Sequence, residues 1–217
     1  MQQAATPISL EGIELTADVS VPERATGIVL FAHGSGSSRF SPRNRKVADA
    51  LNQGGIGTIL VDLLTEEEED LDSKTAELRF DIPMLGGRLV EITRWIARQP
   101  DLQKLRLGYF GASTGAAAAL VAAADNPKAI RAVVSRGGRP DLAGRALQRV
   151  EAPTLFVVGG NDHVVLDLNY GAMARLPHQA EHRLEIVPGA SHLFEEPGAL
   201  EKVAALARDW FIGHLSL

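Results

Sequence analysis

The amino-acid sequence predicts an α/β fold, in which helices flank a mainly parallel β-sheet. The chain of 217 residues is 45% apolar and 23% charged, which is the usage of a globular protein with one sizeable core. Short apolar segments alternate with helical patterns along most of the chain, as in consecutive βα units. No linker, repeat or low-complexity tract interrupts this alternation. We therefore expect a single domain that spans residues 1–217.

The first predicted element is an antiparallel β-hairpin over residues 8–21. Apolar and polar residues alternate there, Gly12 interrupts the alternation, and Pro22 ends it. Such alternation indicates a strand pair with one buried and one hydrated face. We therefore expect the hairpin at an edge of the sheet.

Six buried strands and five helices are predicted to follow. Each strand is short, apolar and bounded by glycine, proline or polar residues, as expected for central strands covered on both faces. The second helix has apolar residues at three- and four-residue spacing, so one of its faces should contact the sheet. The predicted strands are 27–31, 57–63, 105–110, 130–134, 154–158 and 184–187, and the predicted helices lie near 43–53, 82–98, 114–124, 167–175 and 199–211.

Composition excludes several classes of function. The chain has no cysteine, which excludes disulfides, a thiolate nucleophile and cysteine-ligated metal centres. With 22 basic and 27 acidic residues the net charge is −5, which does not favour nucleic acid as a partner. Residues 1–10 lack the basic and apolar regions of a secretory signal, and no segment approaches the apolar length of a membrane span. We expect a cytoplasmic protein without a nucleic-acid or membrane partner.

Residues 65–81 do not fit the alternation of strands and helices. They include five consecutive acidic residues, 66–70, and show no clear period. Because like charges repel one another and favour water, a solvated loop or a short exposed helix is the simpler interpretation. The functional alternative is an electrostatic field near the site that disfavours anionic substrates.

A candidate nucleophile follows the strand predicted at 105–110. Gly111-Ala112-Ser113-Thr114-Gly115 separates this strand from an alanine-rich helical segment, which is the strand–turn–helix context of a Gly-x-Ser-x-Gly motif. Glycine at both ends of the pentapeptide removes side chains where the strand and helix backbones meet. Composition alone produces such a pentapeptide in some chains, so a turn without chemistry is the alternative.

A glycine-rich loop, His33-Gly34-Ser35-Gly36, follows the strand predicted at 27–31. In a hydrolase, backbone N–H groups of this loop and of the residue after the nucleophile, Thr114, stabilise the oxygen that becomes negative during acyl transfer. A phosphate-binding turn is the alternative, but neither the Lys-Ser/Thr of a P-loop nor the third glycine of a dinucleotide fingerprint is present. We expect His33 to brace the loop.

Two more candidates follow late strands: Asp162 comes after strand 154–158 and His192 after strand 184–187. Because parallel strands end at one edge of a sheet, both side chains should approach Ser113. A serine hydroxyl needs a base near neutral pH, imidazole suits that role, and a carboxylate fixes the imidazole tautomer. Considered singly, Asp162 would be interpreted as a helix cap and His192 as a surface residue. Considered together, they predict a catalytic triad.

On these motifs the chain resembles the α/β-hydrolase family, and within it the dienelactone-hydrolase-like branch of small esterases. The resemblance rests on residues 33–36, 111–115, 159–162 and 189–192 and extends from about residue 25 to the end of the chain. It implies a mostly parallel sheet of eight strands, the triad Ser113, Asp162 and His192, and oxyanion-hole donors from the backbones of Ser35 and Thr114. The founding dienelactone hydrolases use a cysteine nucleophile; serine here favours simple carboxylic esters over lactones.

Cap domains of this fold usually enter after the sixth strand, but few residues separate 135 from 152. That segment allows a loop and a short helix over 141–148, so we expect no cap and a site open to small or mobile acyl esters. Gly34, Gly36 and Arg136 are candidate substrate contacts. Arg136 or Arg139 has the bidentate geometry to bind a substrate carboxylate, although a structural ion pair is the simpler interpretation.

The sequence thus predicts a serine hydrolase that cleaves small carboxylic esters through an acyl-enzyme, with no metal and no organic cofactor. The same triad would also serve a lactone or thioester hydrolase, or an acyltransferase. A non-catalytic binding module is the alternative outside enzymes, because fold does not fix function. Nucleotide binding at the glycine-rich loop is a third possibility.

Overall fold

The computed structural model describes residues 5–216 and confirms the predicted α/β fold. Its sheet has eight strands in the order β1-β2-β4-β3-β5-β6-β7-β8, as the resemblance implies. Strands β1 and β2 are antiparallel to their neighbours, and the other six strands run parallel. The strands are β1 (Ala5–Ser9), β2 (Glu14–Ser20), β3 (Gly27–Ala32), β4 (Ile56–Val61), β5 (Arg106–Ala112), β6 (Ile130–Arg136), β7 (Thr154–Gly159) and β8 (His182–Val187).

Within residues 5–216, five α-helices and two 3₁₀ helices connect these strands, and a sixth α-helix follows β8. The helices are α1 (Pro42–Gln53), α2 (Glu66–Thr75), α3 (Ile82–Ile96), α4 (Thr114–Asp125), α5 (His163–Met173) and α6 (Ala199–Leu215), with 3₁₀ helices at Leu78–Phe80 and Pro140–Arg149. The largest differences from the predicted bounds are in α5, which begins four residues earlier, directly after Asp162, and in α6, which continues to Leu215. The early start of α5 matters because it sets the position of the Asp162 side chain.

The helices cover both faces of the sheet, which is why its central strands are mostly apolar. Helices α1 and α6 pack on one face, around Leu51 and Phe211. Helices α3, α4 and α5 pack on the other face, around Leu89 and Leu120. Every residue of β3, β4 and β7 is buried. The rigid central strands hold the loops at their carboxyl ends in fixed positions.

The predicted hairpin is confirmed at the edge of the sheet, although β1 begins at Ala5 and not at residue 8. Ile8 pairs with Leu15 and both are buried, so one face of the hairpin belongs to the core. The turn contains Gly12, whose φ of +81° is readily adopted only by glycine. The prediction that residues 1–10 carry no secretory signal concerns residues 1–4 as well, which lie outside the described residues.

The acidic segment forms helix α2, which agrees with the interpretation as a short exposed helix. Thr65 caps it reciprocally with Glu68: each side chain accepts a hydrogen bond from the other residue's backbone N–H. Two arginines hold the helix against the protein. Arg88 of α3 binds Glu68 through both terminal nitrogens, at 2.5 and 2.7 Å, and Arg79 binds the buried carboxylate of Asp72 at 2.6 Å. The helix is therefore docked, while most of its acidic side chains face water.

The segment between β6 and β7 contains only the 3₁₀ helix Pro140–Arg149, so no cap domain is inserted there. Its backbone changes direction at Gly144, where φ is +56°. Among residues 5–216, none of the helices has the length and apolar character needed to cross a lipid bilayer.

Candidate active site

The turn between β5 and α4 presents Ser113 at the edge of the sheet. Ser113 is partly exposed and has φ +50° and ψ −119°, an unusual conformation for a residue with a side chain. The predicted reason for the flanking glycines is confirmed. A Cβ at Gly111 would lie 2.4 Å from Ala116 Cα, and one at Gly115 would lie 2.3 Å from the carbonyl oxygen of Ala32. The tight turn therefore requires both glycines.

The loops after β7 and β8 bring Asp162 and His192 into direct contact. His192 Nδ1 lies 2.7 Å from Asp162 Oδ2. The loop that carries His192 crosses directly over Gly159, where a Cβ would lie 2.4 Å from the carbonyl oxygen of Ala190. The backbone N–H of Asn161 donates to that same carbonyl at 2.9 Å. This contact between loops fixes the carboxylate against the imidazole.

Ser113 lies on the adjacent turn, beside the loop of His192. The backbone N–H of Ser113 donates to the carbonyl of Arg136 at 3.2 Å. Arg136 is followed by Gly137, where an added Cβ would lie 3.6 Å from His192 Cε1. Within residues 5–216, no hydrogen bond joins Ser113 Oγ to His192. Such bonds are often long in free enzymes and shorten when substrate binds. With Nδ1–H donating to Asp162, Nε2 of His192 is the nitrogen left to accept a proton.

The glycine-rich loop after β3 is braced as expected by His33. Its Nδ1–H donates to the carbonyl of Gly34 at 3.0 Å, and its Nε2 accepts the backbone N–H of Leu63, also at 3.0 Å. Both ring nitrogens are therefore occupied, which leaves the ring no role as a base. At the other end of the loop, the backbone N–H of Arg39 donates to Asp62 at 2.7 Å. The loop is thus tied at both ends to the segment that follows β4.

The oxyanion-hole candidates Ser35 and Thr114 are in contact, in a way that the sequence did not predict. The Ser35 N–H donates to the side-chain hydroxyl of Thr114 at 3.0 Å, so it is not free in this state. Gly34 lies against the nucleophile: a Cβ there would be 3.1 Å from Ser113 Cβ. Gly36 has φ +64°. Both candidate glycines therefore serve the path of the loop beside Ser113.

A cleft of about 1070 Å³ lies between this loop and helix α2. Gly36 and His33 line one side, and the five acidic residues of Glu66–Asp70 line another. Arg39, a basic residue that also lines the cleft, forms ion pairs with Asp18 and Asp62. The field expected from the acidic segment is therefore negative beside the candidate site, and such a field opposes anionic ligands.

The two arginines after β6 differ from each other. Arg139 forms the ion pair that the sequence suggested: it binds Asp141 at 2.9 and 2.8 Å, and these hydrogen bonds raise its pKa. For Arg136 that interpretation is wrong, because its guanidinium donates to an amide and forms no ion pair with a carboxylate within residues 5–216. Only 5% of Arg136 is exposed, and it donates to Asn44 Oδ1 at 3.4 Å. Burial, with the nearby charge of Arg43, lowers the pKa of Arg136 to about 10.

Within residues 5–216, the histidine, aspartate and glutamate side chains form no group of three or more that could hold a metal ion. The groups that the structure brings near one another at this edge of the sheet are the Ser113 hydroxyl, the His192 imidazole and the Asp162 carboxylate.

Comparison with known proteins identifies a family and several structures that are similar to this chain. The family described as the dienelactone hydrolase family matches residues 15–211. A crystal structure of a dienelactone hydrolase from Anabaena variabilis is 57% identical in sequence, has a TM-score of 0.95, and is covered over 98% of each chain. The esterase Est1E from Butyrivibrio proteoclasticus has a TM-score of 0.79 at 16% identity, with 97% of this chain and 98% of that chain covered, which shows a shared fold.

Two curated Mycobacterium tuberculosis proteins, from strains CDC 1551 and H37Rv, are named as candidate phosphoribosyl transferases. Each is 57% identical over 215 residues, which is 99% of this chain but 46% of the relative. The chain therefore spans about half the length of these relatives, and their name describes the longer proteins.

Proposed function

Because the chain belongs to the dienelactone hydrolase family, we propose that it is a serine hydrolase that cleaves small carboxylic esters, with Ser113 as its nucleophile. The observation that carries this proposal is the 2.7 Å contact between Asp162 and His192, at the edge of the sheet where Ser113 is partly exposed. These three groups are the parts that acyl transfer through serine needs.

In the proposed reaction, Ser113 Oγ attacks the ester carbonyl carbon while His192 Nε2 accepts the hydroxyl proton. The carboxylate of Asp162 keeps the proton on Nδ1 and stabilises the imidazolium that forms. The C–O bond to the alcohol then breaks, and the alcohol leaves with the proton from Nε2. Water, activated by the same nitrogen, attacks the acyl-enzyme and releases the acid. No metal or organic cofactor takes part in this mechanism.

The oxyanion of each tetrahedral intermediate would accept the backbone N–H of Thr114, at the start of α4, and that of Ser35. Because the Ser35 N–H is bonded to the Thr114 hydroxyl in the free protein, that hydroxyl must share or release it when the oxyanion forms. Donors that are held in place before reaction stabilise the developing charge best, so the release of the Ser35 N–H adds one rearrangement to the proposed mechanism.

Small, neutral or cationic esters suit the proposed site best. The segment between β6 and β7 provides no cap, so no enclosed tunnel for a long acyl chain is formed there. The acidic cleft beside the glycine-rich loop opposes negatively charged substrates. We therefore propose short acyl esters without a carboxylate or phosphate as the substrate class, and a cytoplasmic location remains a prediction.

A phosphoribosyl transferase is less well supported for these residues. Such an enzyme must hold a phosphorylated sugar, which carries several negative charges. The loop 33–38 borders the acidic cleft, and the helix on the other side of that cleft contributes Glu66–Asp70. The activity named for the M. tuberculosis relatives is therefore not transferred from their names, since this chain matches only 46% of their length.

The direct test is Ser113→Ala assayed with p-nitrophenyl acetate. We expect the activity to fall by at least about 10⁴-fold, since the covalent route is removed. Ser73→Ala, a change on the exposed face of α2, is the matched control and should leave the rate unchanged. A fluorophosphonate should label the native protein at Ser113 and fail to label Ser113→Ala. Undiminished hydrolysis by Ser113→Ala would falsify the proposal.

Product analysis separates hydrolysis from acyl transfer. With a short alcohol added to the same assay, a hydrolase should release mainly the free acid, whereas an acyltransferase should form mainly the new ester. Absence of both products, together with absence of fluorophosphonate labelling, would favour a binding module.

A further inference from the structure

Arg136, at the carboxyl end of β6, is a buried charge without a counterion. It is 5% exposed, and its guanidinium forms no ion pair with a carboxylate of residues 5–216. Its one hydrogen bond goes to Asn44 at 3.4 Å, and its Nε–H is buried without any partner. Arginine cannot shed its charge by losing a proton in the physiological pH range, so the charge itself must be stabilised.

A second arginine increases this local excess of positive charge. Arg43 lies in the first turn of α1, beside Asn44, and its charge acts on Arg136. The Nε–H of Arg43 is also buried and without a partner. The nearest carboxylate is that of Glu195, 3.8 Å from Arg43 Nη1, and its side chain is 67% exposed. An exposed carboxylate at this distance neutralises little of the charge of two arginines.

We propose that a small monovalent anion, of the chloride or acetate class, binds between Arg136 and Arg43. Unpaired buried N–H donors on two guanidinium groups, one of which feels the charge of the other, are the groups that hold such an anion. The anion supplies the missing negative charge and accepts the Nε–H groups that no protein atom satisfies. This site is separate from the acidic cleft beside α2.

The proposed anion also supports the loop that carries His192. The Arg136 guanidinium lies 5.9 Å from the ring centre of Phe194, which is buried and has φ +57°. Glu195, the next residue, faces Arg43. An anion that fixes the two arginines thereby fixes the surface on which residues 194–195 pack. Anion binding as such does not depend on the proposed esterase function; its effect on catalysis does.

Chloride binding can be measured directly on the whole chain. We expect ³⁵Cl NMR line broadening by the native protein, and saturable stabilisation of about 4 °C in Tm as sodium chloride rises from about 5 to about 500 mM. Arg136→Met should abolish both effects. Arg131→Met, which removes an exposed arginine from the other end of the same strand, should retain both and so controls for general salt effects. Equal chloride responses of Arg136→Met and the native protein would overturn the proposal.

Further comparisons keep the result unambiguous. If Arg136→Met does not fold, Arg43→Met is measured in its place and should weaken chloride broadening by at least about tenfold. Ser113→Ala should bind chloride as the native protein does, so a failure of the esterase proposal and a failure of the anion site give different results. Acetate should displace chloride in the NMR measurement. If it does not, the site binds halides alone, and the proposed class of anion, which includes acetate, is wrong.

The source of the anion is tested with two p-nitrophenyl esters, a neutral butyrate and a hemisuccinate that carries a carboxylate. If the proposed anion is bound between the arginines independently of the substrate, added chloride should raise kcat for both esters. If instead chloride inhibits hemisuccinate hydrolysis competitively and leaves butyrate hydrolysis unaffected, the arginines bind the substrate's own carboxylate. The proposal of a separately bound anion is then wrong.

Discussion

Single residues of the site are joined by hydrogen bonds between loops that are distant in the sequence. Asp162 and His192 were predictable because each directly follows a strand that ends at the same edge of the sheet. The contact between Ser35 and Thr114 was not predictable, because a sequence pattern does not state the rotamer of a hydroxyl. The burial of Arg136 without a carboxylate was not predictable either, since it depends on which side chains α1 and the His192 loop place opposite the end of β6.

Asp162→Asn tests the pairing of carboxylate and imidazole. The amide nitrogen introduced by this change would donate to Nδ1 of His192, which places the imidazole proton on Nε2 and leaves no acceptor for the Ser113 hydroxyl. We expect kcat to fall by about 10⁴-fold with little change in fold. Steady-state kinetics with p-nitrophenyl acetate measure the loss. Asp167→Asn, on the exposed surface of the same helix α5, should keep the native rate; a native rate for Asp162→Asn would remove Asp162 from the mechanism.

Thr114→Val tests the contact that holds the glycine-rich loop. Valine has the same shape but no hydroxyl, so the Ser35 N–H loses its partner and the loop is less firmly positioned for the oxyanion. We expect kcat to fall by about tenfold, with KM changed less than about twofold. Thr114→Ser retains the hydroxyl and should stay within about threefold of the native kcat. If Thr114→Val is as active as the native protein, the hydroxyl only fills space.

At the scale of elements, helix α2 shows what charge patterning did and did not reveal. The acidic run predicted exposure, and most of its side chains are exposed. The capping box at Thr65 and the docking arginines turn that run into an ordered helix, and Arg88 and Arg79 come from later in the chain. Similarly, α5 was predicted near residues 167–175 but begins at His163. Its first turn reads His-Val-Val-Leu, a short apolar run whose periodicity does not distinguish helix from strand.

Acid should release α2 before the rest of the protein unfolds. Hydrogen bonds from Arg88 hold the pKa of Glu68 below its usual value of 4.5. Burial alone would raise the pKa of Asp72, but hydrogen bonds from Arg79 outweigh this effect and hold that pKa below its usual value of 3.8. A carboxyl with a depressed pKa stabilises the fold above its unfolded pKa, and that contribution is lost as pH falls through the folded pKa. We therefore expect α2 to loosen below about pH 4.

Hydrogen exchange measured by mass spectrometry, corrected for intrinsic rates, checks this at pH 6 and at pH 3. Residues 66–75 should exchange faster at the lower pH, while buried helix α4 stays protected. At pH 6, Arg88→Met should reproduce the acid effect in α2. Uniform protection of α2 at both pH values would contradict the role given to these ion pairs.

At the scale of the whole molecule, two apolar layers share one sheet, and each contains one tryptophan. Trp95 of α3 packs against the layer beside α4, and Trp210 of α6 is buried in the layer beside α1. The sequence predicted both layers from its apolar strands, but assigned neither helix to a face. Because the central strands contribute to both layers, we expect the layers to unfold together.

Urea unfolding of Trp95→Phe and Trp210→Phe tests this single-domain prediction. Each variant leaves one tryptophan, which reports on one layer. The fluorescence midpoint of each variant should coincide with its own midpoint by circular dichroism, as in a two-state transition. A fluorescence midpoint that differs from the circular-dichroism midpoint in either variant would show that the layers unfold separately.

The hydrogen bond between Ser35 and Thr114 joins residues 79 apart in sequence, and the bond between Asp162 and His192 joins residues 30 apart. Contacts with such long separations form late when a chain refolds, because the ends of long loops must first be brought together. The loops around Ser113 therefore reach these contacts only after β3, β5, β7 and β8 are aligned. In the proposed mechanism, a partly folded chain would therefore lack esterase activity, and recovery of that activity would mark the last step of refolding.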